Sequence, residues 1–172
     1  MKNQTNQPKQ VILLNGPSSG GKSTLALALQ KQFIDTLNYK YSIVSIDDFM
    51  KLRTDETIYE DDIYEISGDM CKAALADLKK HDGVIIDHVI TSERIFNQLN
   101  EMLDPNPILL VHVTAPLSVL KEREKARGDR CIGSAESSYE YLYPRFGYDV
   151  TVDTYFNTPK MSAMKIIYEK VI

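Results

Sequence analysis

The stretch "LLNGPSSGGKST", Leu13 to Thr24, interrupts an aliphatic run with glycines and small polar residues and then gives way to the apolar "LALAL". Its spacing, Gly16, four residues, Gly21, Lys22 and Ser23, fits the phosphate-binding pattern G-x-x-x-x-G-K-[ST]. Glycines allow the backbone to curl until several N–H groups face one anion, and the N-terminus of a following helix adds partial positive charge. Gly16, Pro17, Ser18, Ser19, Gly20, Gly21, Lys22, Ser23 and Thr24 are therefore expected to hold a nucleotide's phosphates. In this pattern Lys22 supplies a mobile full charge for the outer phosphates, and the Ser23 hydroxyl is a ligand for Mg²⁺.

The flanking sequence places this stretch in a loop between a strand and a helix. "QVILLN", Gln10 to Asn15, is almost wholly apolar, as a parallel strand covered on both faces must be, and a helix is expected from about Lys22 to Leu37. "YSIVSI", "GVIID", "ILLVHV" and "DVTVD" read as four more strands. Between them, Cys71, Ala74, Leu75 and Leu78 share one helical face, and Ile95, Phe96, Leu99, Met102 and Leu103 form a second stripe. Pro116 suits the first turn of a further helix, and Pro159 opens a last one carrying Ala163, Ile166, Ile167 and Val171. This alternation predicts an α/β fold, a five-stranded parallel sheet flanked by helices and joined by right-handed crossovers. One domain is expected over residues 1–172, with 1–9 as a polar flexible tail.

Composition narrows the setting. With 43% hydrophobic and 26% charged residues the chain has the make-up of an ordinary globular protein, neither disordered nor fibrous. A net charge of −4 provides no basic field for drawing in nucleic acid, so no nucleic-acid partner is expected. The N-terminal "MKNQTNQPKQ" lacks the apolar centre of a signal peptide, and no apolar run of ~20 residues occurs; no membrane association and a cytoplasmic location are expected. Cys71 and Cys131 fit neither a zinc-ligand spacing nor a disulfide framework, and His81, His88 and His112 show no zinc-site spacing.

The remaining chemistry-bearing residues lie where strands end. In parallel sheets ligands bind outside the carboxyl ends of the strands, which puts Asp47 of "SIDDFM" beside the phosphate loop. A carboxylate there can accept the proton of an attacking hydroxyl, while Asp48 is expected to cap the next helix. Asp87, closing "VIIDH", is placed to hold Mg²⁺ with Ser23, and His88 reads as a packing or surface group. "LKEREKARGDR" carries Arg123, Arg127 and Arg130, whose guanidinium groups can grip phosphate oxygens or stack on adenine, and Gly128 is expected to begin a small lid over about 127–147. Tyr59 and Tyr64, and Tyr139, Tyr141, Tyr143 and Tyr148, either wall an acceptor pocket or pack.

Together, "NGPSSGGKST", "SIDDF", "GVIIDHVI", "KEREKARGDR" and "YDVTVDT" resemble the chloramphenicol phosphotransferase-like family from about Val11 to Thr154. The phosphate loop is common to many families; "E-x-A-R-G-D-R-x-x-G-x-A" followed by "Y-D-x-x-V-D-T" is much more specific. The resemblance implies a nucleotide-kinase type of fold and ATP-dependent phosphorylation of a small-molecule hydroxyl, with a chloramphenicol-like acceptor among the candidates. It assigns the base role to Asp47, the ATP phosphates to Gly16 to Thr24, and phosphate or adenine contacts to Arg127 and Arg130. The sequence departs from the family at Tyr143, where a histidine is usual, and in the acidic, tyrosine-rich segment between Met50 and Gly68.

The expected activity is thus a kinase with ATP and Mg²⁺ as cofactors, an alcohol group as acceptor, and Asp47, Lys22 and Arg130 as catalytic residues. Other acceptors, such as a nucleoside, a nucleotide sugar or a protein side chain, fit the same strand-end aspartates. A nucleotide-operated binding module without turnover fits the loop alone. The oligomeric state is open.

Overall fold

The computed structural model describes residues 10–51 and 59–172; the expected N-terminal tail and part of the acidic, tyrosine-rich segment lie outside them. Five strands, β1 (Gln10–Asn15), β2 (Tyr41–Ser45), β3 (Gly83–His88), β4 (Ile108–Thr114) and β5 (Val150–Asp153), form one parallel sheet in the order β2-β3-β1-β4-β5. β1 is apolar because it is central. It pairs with β3 on one side and β4 on the other, and Val11 to Leu14 are at most 1% exposed. Successive side chains of a strand point to opposite faces, and the two cores follow that alternation. Val11 and Leu13 join one hydrophobic cluster and Ile12 and Leu14 the other.

The helices cover both faces. α1 (Lys22–Leu37) packs against α7 (Pro159–Lys170) and shares the core of Ile12, Leu14 and Ile85. α3 (Glu60–Leu78) and α4 (Glu93–Leu103) fill the opposite layer around Val11, Leu13 and Ile86. α1 ends where Asn38 adopts φ 55° and its N–H reaches Ile34 O at 3.0 Å, so the chain can turn into β2; Phe33 then stacks on Tyr41 at 4.0 Å. The α3 stripe is buried at Cys71, Ala74 and Leu78, with Leu75 half-buried, and the α4 stripe at Ile95, Leu99 and Leu103. Both cysteines are free thiols, Cys71 buried and Cys131 exposed. Burial pushes the Cys71 thiol up to about 12.

Three local expectations are corrected. The second strand stops at Ser45, and α2 (Ile46–Met50) begins one residue earlier than its apolar pattern suggested. Ser45 therefore occupies the N-cap position, while Asp48 lies within the first turn, exposed, 3.8 Å from Lys51; it is not the cap. Pro116 likewise stands one position outside α5 (Leu117–Arg127), as its N-cap residue.

The segment after α5 contains a further helix, α6 (Ser134–Glu140), which the sequence reading did not resolve. Its docking depends on Glu124 of α5, a buried carboxylate that accepts hydrogen bonds from the amides of Gly133 (3.1 Å) and Ala135 (2.8 Å). Ala135 packs with Ala115 and Leu120, and the Ser138 hydroxyl accepts from the Ser18 amide at 2.9 Å. α6 is thereby tied to the phosphate loop. Between the helices, Gly128 (φ 68°) and Gly133 (φ 100°) bracket a short loop in left-handed conformations that favour glycine.

The amides of Ala135 and Gly133 hold the Glu124 carboxyl below the usual carboxylate range. A depressed folded-state value means that its contribution is present above the unfolded value near ~4.3 and is lost as pH falls through the folded one. Glu124→Gln should therefore melt below the wild type at pH 7. The gap should narrow as pH falls below about 4.3, as thermal unfolding followed by circular dichroism will show; a constant gap across that range would contradict this account.

Candidate active site

The carboxyl ends of β1, β2 and β3 meet at one edge of the sheet, and the loop leaving β1 curls over them. Gly16 must be glycine because an added Cβ would lie 2.0 Å from the Val113 carbonyl oxygen of β4. The loop turns at Ser19 (φ 63°) and Gly21 (φ 89°), and Gly21 is the N-cap residue of α1 with no side-chain capping bond. The first amides of a 16-residue helix thus have no side-chain cap, a ready-made anion site. The loop lines a cavity of about 720 Å³ whose other walls include Ile46, Asp47, Asp87, Val89, Arg127 and Arg130. That volume and this cradle of uncapped amides suit a nucleotide with its phosphates on the loop.

Lys22 lies buried at the start of α1, its Nζ donating to Pro17 O at 2.9 Å. Burial lowers its pKa, and the nearby carboxylates of Asp87 and Asp47 act in the opposite direction. One residue on, the Ser23 hydroxyl donates to Asp87 Oδ2 at 2.7 Å, and Ser45 Oγ stands 3.5 Å from the same oxygen. No group of three or more His, Cys, Asp or Glu able to hold a metal exists among the described residues. A hydroxyl and one carboxylate fit Mg²⁺, which keeps several waters and takes its remaining ligands from phosphate oxygens.

The three arginines after β4 take separate places. Arg130 forms an ion pair with Asp47, and both side chains are about one-third exposed or less, 28% and 31%. Arg127 is at the rim with Asp129, Nε to Oδ1 3.2 Å. Arg123, read with them as able to grip phosphate or stack on adenine, turns its fork onto Thr154 and the backbone of Ser19.

His88, read as a packing or surface group, packs, and the tyrosines, read as pocket walls or packing residues, stay out of this cavity. His88, fully buried, bonds the Ser67 hydroxyl of α3 through Nε2 at 2.8 Å, and burial pushes its pKa down to about 4, so it is a neutral packing group. None of the six tyrosines lines the cavity. Tyr59, Tyr139 and Tyr141 are exposed, Arg94 stands over the Tyr64 ring at 4.0 Å, and Tyr148 stacks on His112 at 4.7 Å. What joins the tyrosine segment to the site is Asn15, which the sequence reading passed over. Fully buried at the end of β1, its Nδ2 donates to Tyr143 O (2.8 Å) and the Tyr148 hydroxyl (3.0 Å), and its Oδ1 accepts from Ile90 N (2.9 Å). A polar residue closing an apolar strand was the available signal.

The family description "Chloramphenicol phosphotransferase-like protein" matches residues 9–170. No curated protein matches the chain. Among solved structures, the APS kinase of Mycobacterium tuberculosis in complex with AMPPNP and APS superposes with a TM-score of 0.78 at 15% identity, over 95% of this chain and 98% of that one. A gluconokinase from Sinorhizobium meliloti gives 0.67 at 18% identity over 94% and 91%, and the Deinococcus radiodurans tunicamycin resistance protein 0.65 at 18% over 95% and 96%. At these identities the likeness is one of fold.

Replacing Lys22 with methionine removes a buried ammonium while keeping an unbranched apolar stem. Lys22→Met is expected to melt at or above the wild-type temperature, because burial disfavours the charge it removes. Its ATP affinity, read by calorimetry, should fall at least ~10-fold, the scale of a lost charged hydrogen bond. Wild-type affinity in the folded variant would contradict the assignment.

Proposed function

The chain belongs to the chloramphenicol phosphotransferase-like family, and from that premise we propose that it transfers the γ-phosphate of ATP to a hydroxyl of a small molecule. Family and fold make it a kinase-type phosphotransferase that binds a nucleotide. The observation that carries the finer reading is a pair of aspartates, Asp87 in β3 and Asp47 in the first turn of α2. Asp47 and Asp87 share one cavity wall with Lys22 and the phosphate loop, with Arg130 reaching Asp47 across it.

In this reading the loop amides and Lys22 hold the outer phosphates, and Ser23 and Asp87 would hold Mg²⁺. That ion supplies neutralisation of the phosphate oxygens. Asp47 accepts the proton of the acceptor hydroxyl as its oxygen bonds to the γ-phosphorus and the bond to the β–γ bridging oxygen breaks. Arg130 leaves Asp47 for the transferring phosphate, which frees the carboxylate as a base and moves positive charge to where negative charge develops. Arg127 assists from the rim. The part that moves is the loop between Gly128 and Gly133, a narrower lid than 127–147, since α6 is docked on Glu124 and Ser18. Closure of that loop excludes the water that would otherwise hydrolyse ATP.

The remaining features of the reading are one domain, a small-molecule partner and a cytoplasmic setting. No helix among the described residues is long and apolar enough to cross a membrane. Incubation with labelled ATP, Mg²⁺ and a panel of alcohols, beginning with chloramphenicol and extending to nucleosides and sugars, followed by mass analysis, identifies the acceptor. ATP binding without any phosphorylated product would favour a binding module.

Asp47→Asn preserves size and removes the proton acceptor. Transfer should fall ~10²-fold or more, the contribution general-base catalysis makes, while ATP affinity stays within about three-fold because that affinity resides in the separate loop. Asp48→Asn, at an exposed position, serves as the control and should retain most of the activity. Undiminished transfer by Asp47→Asn would remove the base from the mechanism.

A further inference from the structure

A loop that turns its amides toward an anion turns its carbonyls away from it, and each of those carbonyls needs a donor on the outer side. Pro17 O receives Gly20 N at 3.1 Å and Lys22 Nζ at 2.9 Å, and Gly21 O receives Leu25 N at 3.0 Å within α1. For the carbonyls of Ser19 and Gly20, just ahead of Gly21, the donors come from far along the chain. Ser19 O is met by Arg123 Nη1 at 3.3 Å, and Gly20 O by the Thr154 hydroxyl at 2.7 Å.

Thr154 directly follows β5 and is itself held at three points. Its amide donates to Thr114 O at 2.9 Å, its hydroxyl accepts from Arg123 Nη1 at 2.9 Å, and its carbonyl accepts from Arg123 Nη2 at 3.1 Å. A hydroxyl has one proton to give. Thr114 O lies at 3.3 Å and Gly20 O at 2.7 Å, so the proton goes to the loop. The same side chain backs the next residue: a Cβ added to Gly21 would stand 3.3 Å from both Cγ2 and Oγ1 of Thr154.

We propose that Thr154, oriented by Arg123, is a positioning residue that sets the phosphate loop for its anion. The reason lies in peptide geometry. The Gly20 carbonyl and the Gly21 N–H belong to one planar trans unit, so drawing the carbonyl outward onto Thr154 aims the N–H the opposite way, toward the phosphates. Glycines on both sides of that unit leave its orientation otherwise weakly determined. The brace supplies from outside the rigidity that the loop's own sequence lacks, and it joins β5 and α5 to a site built on β1. It rests on the reading of the loop as a triphosphate site.

The test compares ATP binding by calorimetry, in the presence of Mg²⁺, with thermal unfolding for the wild type, Thr154→Val and Thr154→Ser. Valine keeps the shape and the methyl but loses the hydroxyl; serine keeps the hydroxyl and loses the methyl. Affinity should fall ~10-fold in Thr154→Val, from a carbonyl left without its donor, and stay within about two-fold in Thr154→Ser. A residue that only packs against Gly21 would give the reverse order, serine being the weaker. Thr154→Val within two-fold of wild type, or Thr154→Ser as weak as valine, overturns the proposal. Should Thr154→Val fail to fold, Arg123→Lys decides. It keeps the charge but loses the fork, its affinity should drop ~3-fold or more, and wild-type affinity there overturns the proposal equally. Absence of ATP binding by the wild-type protein would instead sink the triphosphate reading, and this proposal with it.

Discussion

The passage of Gly16 beneath the Val113 carbonyl is the constraint on which the site depends. At that point the chain leaves a strand with no exposed side of its own and must turn within a space that a single methyl would close. β1 is also where the strand order reverses, β3 and β2 lying on one side and β4 and β5 on the other. A crevice opens at such a reversal because consecutive connections depart in opposite directions. The loop, the aspartates of β3 and α2, and the arginines after β4 converge there because the parallel strands β1 to β4 all have their carboxyl ends on the same side of the sheet.

Much of this was legible because it depends on short-range pattern. A strand-length segment apolar from Val11 to Leu14, a glycine-rich break and a good helix-forming segment mark β1, the loop and α1, and the α1 bounds agree with those expected. Pro159 opens α7 for an equally local reason, its missing N–H being one the first turn does not need. The errors fall where burial and periodicity diverge. Ile46 is buried and follows a strand pattern, yet it begins α2, since a residue packed under the sheet end looks the same in sequence whether it closes a strand or opens a helix. α6 has only seven residues, too few to display a stripe, and its start is satisfied by a carboxylate from another helix.

Of the candidate site, the residue types were readable and their partners were not. Asp47 and Arg130 stand 83 positions apart, and Asn15 and Tyr148 133 apart, so no spacing rule links them. Asn15 shows the difficulty best. With Ile90 N donating to its Oδ1, its Nδ2 donating to Tyr143 O, and Tyr143 N returning to Ile90 O at 2.9 Å, the side-chain amide takes the place of a peptide group between two segments. A single buried amide thereby continues the order of the sheet into loops where the backbone ladder has ended. Of the tyrosines read as pocket walls or packing residues, Tyr143 and Tyr148 serve this joint, Tyr64 packs against the core of α3 and α4 beneath Arg94, and Tyr59, Tyr139 and Tyr141 are exposed, a division that their clustering in sequence does not reveal.

The contrast between the two cysteines has a practical consequence. Only a thiolate reacts readily with a maleimide or a disulfide probe, and Cys71, sealed in the α3 core with its thiol pushed up to about 12, offers almost none at neutral pH. Cys131 is exposed, adjoins Arg130, and lies between the left-handed glycines 128 and 133. The native chain thus carries a single-site attachment point for a fluorophore or spin label on the loop that holds Asp47, and the surrounding protein needs no cysteine removed to use it.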